Sequence, residues 1–179
     1  MKKSKGKGFL FWITGLSGSG KTSIAKKMKN YIIKNYGPTL IISGDDLRKN
    51  FGLNKYSRRD RLTYALNYSK FCKYITDQKI NVIISTVSLF HKVRKWNRSN
   101  ISNYVEIYIK SDIKKVIKMK KKYFYKYKST NVLGKDIMPE FPKSPDIILE
   151  NNFRSNISTL SKELEGKIKK NIKSSLVYV

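Results

Sequence analysis

The chain contains only one cysteine, Cys72, among its 179 residues. A single thiol excludes an intrachain disulfide and any metal site built from several cysteines, and its helical surroundings suggest a buried bystander. No apolar run approaches the roughly 18 residues that a membrane-spanning helix needs. The basic residues 1–7 resemble the start of a signal peptide, but the apolar stretch after them is short and runs into a glycine-rich loop that cleavage would destroy. We therefore expect a cytoplasmic protein.

Acidic residues are also scarce: the chain has 12 Asp and Glu residues against 39 Lys and Arg residues, which gives a net charge of +27. Such an excess favours polyanionic partners such as nucleic acid, an anionic membrane surface or phosphorylated substrates. Lysine, isoleucine, asparagine and tyrosine are all over-used, however, as the codons of an AT-rich genome would produce. We favour this compositional explanation, so nucleic acid is not the expected partner. A hydrophobic content of 40% predicts a globular fold, and the length predicts one domain over residues 1–179.

The most informative stretch is a glycine-rich octet that follows the apolar run 9–14 and precedes a helical pattern over 23–35. It fits G-x-x-x-x-G-K-[ST] without mismatch. Its members, which we predict to bind ATP, are Gly15, Leu16, Ser17, Gly18, Ser19, Gly20, Lys21 and Thr22. Glycines allow the backbone to bend so that several amides meet the phosphates together. In this motif the lysine reaches the β- and γ-phosphates and the hydroxyl of Thr22 binds Mg²⁺.

Apolar runs and helical periodicities alternate along the rest of the chain. Strands are predicted at 9–14, 39–43, 81–86, 104–109 and 147–149, and helices at 23–35, 57–77, 90–100, from Asp112 onward and at 156–173. This alternation predicts an α/β fold with a five-stranded parallel sheet covered by helices on both faces. Residues 120–145 include Gly134 and three prolines with little periodicity, which is typical of a lid loop.

Acidic residues follow the second predicted strand in the segment Gly44-Asp45-Asp46-Leu47-Arg48. In a parallel sheet, the carboxyl ends of the strands form the edge where ligands bind and chemistry occurs. The phosphate loop lies at the same edge. The two aspartates are therefore expected beside the nucleotide.

Three segments taken in order, FWITGLSGSGKT, then GDDLR, then YSRRDR, resemble the adenylyl-sulfate kinase family. The segments 122–126, 131–136 and 145–149 also fit, so the resemblance covers about residues 8–152. It implies a P-loop, nucleoside-kinase-like fold and transfer of the γ-phosphoryl group of MgATP to the ribose 3′-hydroxyl of a small nucleotide acceptor. It is also compatible with a homodimer.

The resemblance assigns roles to individual residues. Asp45 matches the carboxylate that acts on the acceptor hydroxyl, and it forms the catalytic pair with Lys21. Arg48 and Arg61 match arginines that hold the acceptor's anionic groups, and a guanidinium fork suits such oxygens. Tyr56 replaces a phenylalanine that stacks on the base. The alternatives remain an N-cap role for Asp45 and simple surface charge for the arginines.

Further acceptor contacts are expected from the segment after the third strand and from the lid. They are Ser88, Phe90 and Lys135. Lys120, Lys121 and Lys122 could approach ATP, or they could form a solvated helix face. The single histidine, His91, could contact the acceptor or serve only a structural purpose.

The acceptor side departs from the family pattern. The usual Asp-Gly-Asp-Asn is replaced by a segment that begins with Ser43, and the charged residues expected after Arg61 are replaced by Thr63-Tyr64-Ala65-Leu66-Asn67. An intact donor side with a rewritten acceptor side predicts the same reaction on another acceptor. Cytidine diphosphoramidate, the acceptor of related kinases in bacterial capsule pathways, is slightly favoured over adenylyl sulfate. A P-loop nucleic-acid-binding ATPase is a weaker alternative, and an inactive partner subunit is weaker still.

Overall fold

A computed structural model describes residues 6–120 and 136–176 of the chain. The strands in these ranges are β1 (Leu10–Thr14), β2 (Thr39–Ser43), β3 (Asn81–Thr86), β4 (Tyr104–Lys110) and β5 (Ile147–Glu150). The helices are α1 (Lys21–Tyr36), α2 (Gly44–Asn50), α3 (Arg58–Asp77), α4 (His91–Asn100), α5 (Ile113–Lys120) and α6 (Ile157–Leu176). Within the two described ranges, none of these helices combines the length and the apolar character that crossing a membrane requires.

The strands form one parallel sheet in the order β2-β3-β1-β4-β5. Strand β1 lies at its centre and is wholly buried, as expected for an apolar run covered on both faces. The predicted α/β fold with five parallel strands and helices on both faces is therefore confirmed. Because every strand runs in the same direction, all five carboxyl ends meet at one edge of the sheet.

Two apolar cores lie on opposite faces of the sheet, because side chains alternate along each strand. Trp12 packs into the core beneath α3 and α4, which also contains Cys72. Phe11 packs into the core beneath α1 and α6, together with Met28 and Leu164. Cys72 has no exposed surface, so it is the buried residue that the sequence predicted, and burial raises the pKa of its thiol.

Helix α2 is an element that the sequence pattern did not reveal. Its N-cap is Ser43, whose hydroxyl accepts a hydrogen bond from the Asp46 amide at 3.4 Å. The alternative that Asp45 is the N-cap is therefore wrong. Asp45 lies in the first helical turn instead, where the positive end of the helix dipole favours a carboxylate. By contrast, Asp112 caps α5, because its carboxylate accepts a hydrogen bond from the Lys114 amide at 2.7 Å.

The predicted lid is described only at its two ends. Lys135, Lys121 and Lys122 lie outside the described residues, so their proposed nucleotide contacts stay predictions. At the end of the lid segment, the Glu140 amide donates to the Leu89 carbonyl at 3.0 Å. This bond ties the segment to the connection between β3 and α4.

Candidate active site

The loop between β1 and α1 requires glycine at specific points. Gly15, Gly18 and Gly20 have φ values of 148°, 85° and 91°, a region that other residues rarely adopt. A Cβ on Gly15 would also lie 2.5 Å from the carbonyl oxygen of Ile109, at the end of β4. The loop is therefore both left-handed and closely packed against the neighbouring strand, which fixes the positions of its amides.

Lys21 folds back against this loop. Its Nζ donates to the carbonyl oxygen of Leu16 at 2.6 Å, and the Ser19 amide donates to the same oxygen at 3.1 Å. The lysine is only 6% exposed. The ammonium is thus held inside the curve of the loop whose amides bind phosphate in proteins of this type.

Thr22, the last residue of the motif, faces the end of β3. Its Oγ1 lies 3.3 Å from Oγ of Ser85. Many P-loop enzymes place a metal-binding aspartate on a neighbouring strand, whereas β3 ends here in Ser85 and Thr86. No group of three or more His, Cys, Asp or Glu side chains suited to a metal lies in the described parts of the chain. Hydroxyl oxygens nevertheless fit Mg²⁺, which takes few protein ligands and completes its shell with phosphates and water.

A contact that the sequence did not predict joins the phosphate loop to the residue after the edge strand β5. Asn151 follows β5, and its Nδ2 donates to the Ser19 carbonyl oxygen at 3.0 Å. Both residues are buried, Asn151 being 4% exposed and Ser19 fully buried. The only sequence signal was a polar residue directly after a short apolar strand at the carboxyl edge.

Asp45 is brought to the same edge by a close contact of the preceding residue. A Cβ on Gly44 would lie 2.9 Å from Oγ1 of Thr86, so only glycine allows α2 to begin this close to β3. Thr86 pairs across the sheet with Thr14, the residue just before the phosphate loop. The backbone of α2 therefore starts one strand away from that loop.

Asp45, Arg48 and Arg61 form one electrostatic group between α2 and α3. Burial lowers the pKa of Arg61, the neighbouring Arg48 lowers it further, and Asp45 opposes the change. Two guanidinium groups that repel each other beside a single carboxylate leave a net positive charge. Such a site attracts an anion.

Aromatic rings enclose the Arg48 guanidinium. Its centre lies 4.1 Å from the ring centroid of Tyr56 and 5.3 Å from that of Tyr64, distances typical of cation–π contacts. Arg48 also donates to the Lys55 carbonyl at 2.9 Å, and Arg61 donates to the Tyr56 carbonyl at 3.0 Å. The two arginines thus hold the connection between α2 and α3. The Arg61 guanidinium also lies over the Tyr56 ring, 5.2 Å from its centroid, so both acceptor arginines contact the ring whose stacking on the base stays a prediction.

The remaining predicted acceptor contacts differ in exposure. Ser88 is 2% exposed and Phe90 is 1% exposed, so neither offers surface to an acceptor in this conformation. The exposed His91 has a structural contact, because its Nδ1 lies 2.6 Å from Nη2 of Arg94. Its amide also donates to Oε2 of Glu140 at 2.5 Å. The predicted acceptor contacts of Ser88 and Phe90 therefore stay predictions, because both side chains are buried in this conformation.

A buried charge network, also missed from the sequence, supports α4. Glu106 on β4 is 2% exposed, and its carboxylate lies 3.4 Å from Arg94 Nε and 2.9 Å from Arg98 Nη2. Arg98 in turn pairs with Asp146 at 3.2 Å. The network links β4, α4 and the segment before β5, with Glu106 and Arg94 buried and with Arg98 and Asp146 partly exposed.

Comparison with known proteins identifies the family. The family model described as adenylylsulphate kinase matches residues 7–150. The chain belongs to the adenylylsulphate kinase family. Because its family and its relatives are kinases, the chain is an ATP-dependent phosphotransferase.

Two curated relatives and one solved structure are similar to the chain over most of its length. A cytidine diphosphoramidate kinase of Campylobacter jejuni is 35% identical over 166 residues, which cover 90% of this chain and 95% of the relative. An adenylyl-sulfate kinase of Clostridium acetobutylicum is 32% identical, covering 83% and 78%. The structure of the Mycobacterium tuberculosis APS kinase in complex with AMPPNP and APS matches with a TM-score of 0.80, at 22% identity, covering 91% and 98%. This last likeness supports the fold.

Proposed function

We propose that the chain transfers the γ-phosphoryl group of MgATP to the ribose 3′-hydroxyl of a nucleoside 5′-mixed anhydride, with cytidine diphosphoramidate as the favoured acceptor. The preference rests on the 35% identity to the Campylobacter jejuni cytidine diphosphoramidate kinase and on the uncharged segment 63–67, which replaces the charged residues that the family pattern has after Arg61. Adenylyl sulfate is the second candidate, because adenylyl-sulfate kinases of Pseudomonas aeruginosa and Clostridium acetobutylicum are 28% and 32% identical to the chain.

The observation that carries the proposal is that the Arg48 and Arg61 guanidinium groups both lie over the Tyr56 ring, 4.1 and 5.2 Å from its centroid. Asp45 lies three positions before Arg48 on α2, so its carboxylate belongs to the same group. The two guanidinium groups supply donors and positive charge for the anionic cap of the acceptor. The carboxylate accepts a hydrogen bond from the 3′-hydroxyl, orients it and takes its proton as the P–O bond forms. Most of the rate enhancement in such transfers comes from holding the two substrates in line and neutralising charge.

The donor half follows from the phosphate loop. Its amides and Lys21 bind the β- and γ-phosphates, and on ATP binding the ammonium exchanges the Leu16 carbonyl for phosphate oxygens. Thr22, oriented by Ser85, is the residue that would hold Mg²⁺. Bound Mg²⁺ supplies charge that stabilises the transferring phosphoryl group.

The decisive experiment offers cytidine diphosphoramidate and adenylyl sulfate separately with MgATP. It follows ADP release and locates the new phosphate by ³¹P–¹H correlation. We expect turnover of cytidine diphosphoramidate with the phosphate on the 3′-oxygen and a lower kcat/KM for adenylyl sulfate. The Lys21→Ala variant should release no ADP above background, which excludes a contaminating kinase.

Three results would revise the proposal. A higher kcat/KM for adenylyl sulfate would make that nucleotide the acceptor. Turnover of neither nucleotide would contradict the kinase reaction on mixed anhydrides. ADP release that instead requires added DNA or RNA would favour the nucleic-acid-binding ATPase suggested by the net charge of +27.

A further inference from the structure

Tyr68 lies on the face of α3 that also carries Arg61 and Tyr64. The three residues are separated by three and four positions, so successive turns of the helix stack them on one side. Tyr68 is only 6% exposed and packs into the core beneath α3. It therefore places a buried hydroxyl on the side of α3 that bears the acceptor arginine Arg61.

The Tyr68 hydroxyl is buried, and within residues 6–120 and 136–176 no hydrogen-bond partner meets it. Burying a hydroxyl without a partner costs about 1–3 kcal/mol, so such groups are uncommon in native proteins. Two groups of the candidate site act on it electrostatically. Burial raises the pKa of Tyr68 to about 12, with Arg48 opposing the rise and Asp45 adding to it. The hydroxyl stays protonated at neutral pH and can both donate and accept.

We propose that the Tyr68 hydroxyl hydrogen-bonds the ribose 2′-hydroxyl of the acceptor and makes the enzyme specific for ribonucleotides. The inference rests on the proposed function, in which Asp45 contacts the 3′-hydroxyl. The 2′- and 3′-hydroxyls sit on adjacent carbons, so a sugar held at Asp45 brings its second hydroxyl to a neighbouring group.

Tyr68 has the required chemistry and its position differs from that of Tyr64. The Tyr64 ring is engaged with the Arg48 guanidinium, 5.3 Å from its centroid, whereas the Tyr68 hydroxyl has no hydrogen-bond partner among the described residues. A buried hydroxyl that pairs with a substrate hydroxyl discriminates against the analogue that lacks it, because the protein group is then left unpaired. The rejected analogue is the 2′-deoxynucleotide.

The test compares kcat/KM for the ribonucleotide acceptor and its 2′-deoxy analogue, in the wild type and in Tyr68→Phe. We expect the wild type to prefer the ribonucleotide by about tenfold or more. Tyr68→Phe should lose most of that preference by turning over the ribonucleotide more slowly while leaving the deoxy analogue little changed. The matched control is Tyr74→Phe, which removes a hydroxyl from a side chain 68% exposed on the same helix. It should keep the wild-type ratio.

Each outcome bears on one claim. An equal loss for both acceptors in Tyr68→Phe would make the hydroxyl structural and overturn the inference. A wild type that turns over both acceptors equally would overturn it without any variant, even if Tyr68→Phe failed to fold. Absence of turnover with the ribonucleotides would instead contradict the proposed function itself.

Discussion

The side-chain amide of Asn151 donates a hydrogen bond to the carbonyl oxygen of Ser19 at 3.0 Å. In a trans peptide unit, the carbonyl of Ser19 and the amide of Gly20 point in opposite directions. Fixing the carbonyl toward β5 therefore fixes the Gly20 N–H on the opposite side of the same peptide plane. The conformation of the phosphate loop therefore depends on a residue 132 positions away in the sequence.

This relationship predicts that Asn151 controls ATP affinity. In Asn151→Asp, a carboxylate faces the Ser19 carbonyl and can no longer donate, so the loop peptide loses its anchor. We expect the KM for ATP to rise about tenfold, the scale of one to two lost hydrogen-bond energies. Steady-state kinetics and calorimetric ATP titration check the effect.

The matched control for that variant is Asn152→Ala. Asn152 is exposed, and its Oδ1 accepts only the local Arg154 amide among the bonds the structure describes for it. It should leave the KM for ATP close to that of the wild type. If Asn151→Asp binds ATP as tightly as Asn152→Ala does, the hydrogen bond from Asn151 to Ser19 does not contribute to ATP binding.

The buried network around Glu106 predicts a large effect on stability. Burial raises the pKa of Glu106, against the opposing influence of Arg94 and Arg98. In Glu106→Gln the Arg94 side chain, 6% exposed, keeps its charge without a carboxylate. Breaking a buried pair in this way costs about 3–5 kcal/mol. Denaturant unfolding should show that decrease in the free energy of unfolding.

An exposed glutamate provides the comparison for Glu106. Glu163 pairs with Lys167 on the surface of α6, with side chains 45% and 40% exposed. Such pairs contribute about 0–1 kcal/mol, so Glu163→Gln should change stability little. Equal effects of the two substitutions would show that the Glu106 network contributes no more than a surface pair.

The hydrogen bonds of Glu140 predict that the free energy of unfolding depends on pH. Partial burial would raise its pKa, but hydrogen bonds from the His91 amide and the Arg58 guanidinium lower it below the ordinary range. A carboxyl whose pKa is lower in the folded state binds fewer protons there, so its stabilisation is present above the unfolded pKa of about 4.3 and is lost as pH falls. Glutamine does not titrate. The wild type should therefore exceed Glu140→Gln in free energy of unfolding by about 1 kcal/mol at pH 7. The difference should shrink as the pH falls below about 4.3 and vanish below the lower pKa of the folded protein.

Unfolding curves of both proteins across this pH range test the sign. A difference that grows as pH falls would contradict it. Glu150→Gln is a control, because the Glu150 side chain is 69% exposed and pairs only with Lys110 among the described ion pairs. That variant should follow the wild type at every pH.

The sequence predicted the elements whose signals are local. The phosphate loop was evident because its glycines, Lys21 and Thr22 are consecutive, and the five strands were evident because each is a short apolar run. Helix α2 was missed because seven residues are too few to establish a period. Its capping residue, Ser43, was read only as a departure from a family pattern.

The contacts that support the site join distant segments, so no local pattern could reveal them. Asn151 and Ser19 are 132 positions apart, and Glu106 and Asp146 are 40 positions apart. The solvent exposure of a side chain also depends on packing against residues distant in the sequence. Phe90 was predicted to contact the acceptor, and no local pattern indicated that its ring packs into the core beneath α3 and α4.

The central claim is that Asp45 acts on the acceptor hydroxyl, and the most direct measurement is kcat for ADP release by Asp45→Asn at saturating MgATP and acceptor. Loss of a positioned general base predicts a decrease of about 10²–10⁴-fold, with ATP affinity and thermal stability retained. Asp46→Asn, which alters the adjacent carboxylate, should keep near wild-type turnover. Near wild-type kcat in Asp45→Asn would contradict the account.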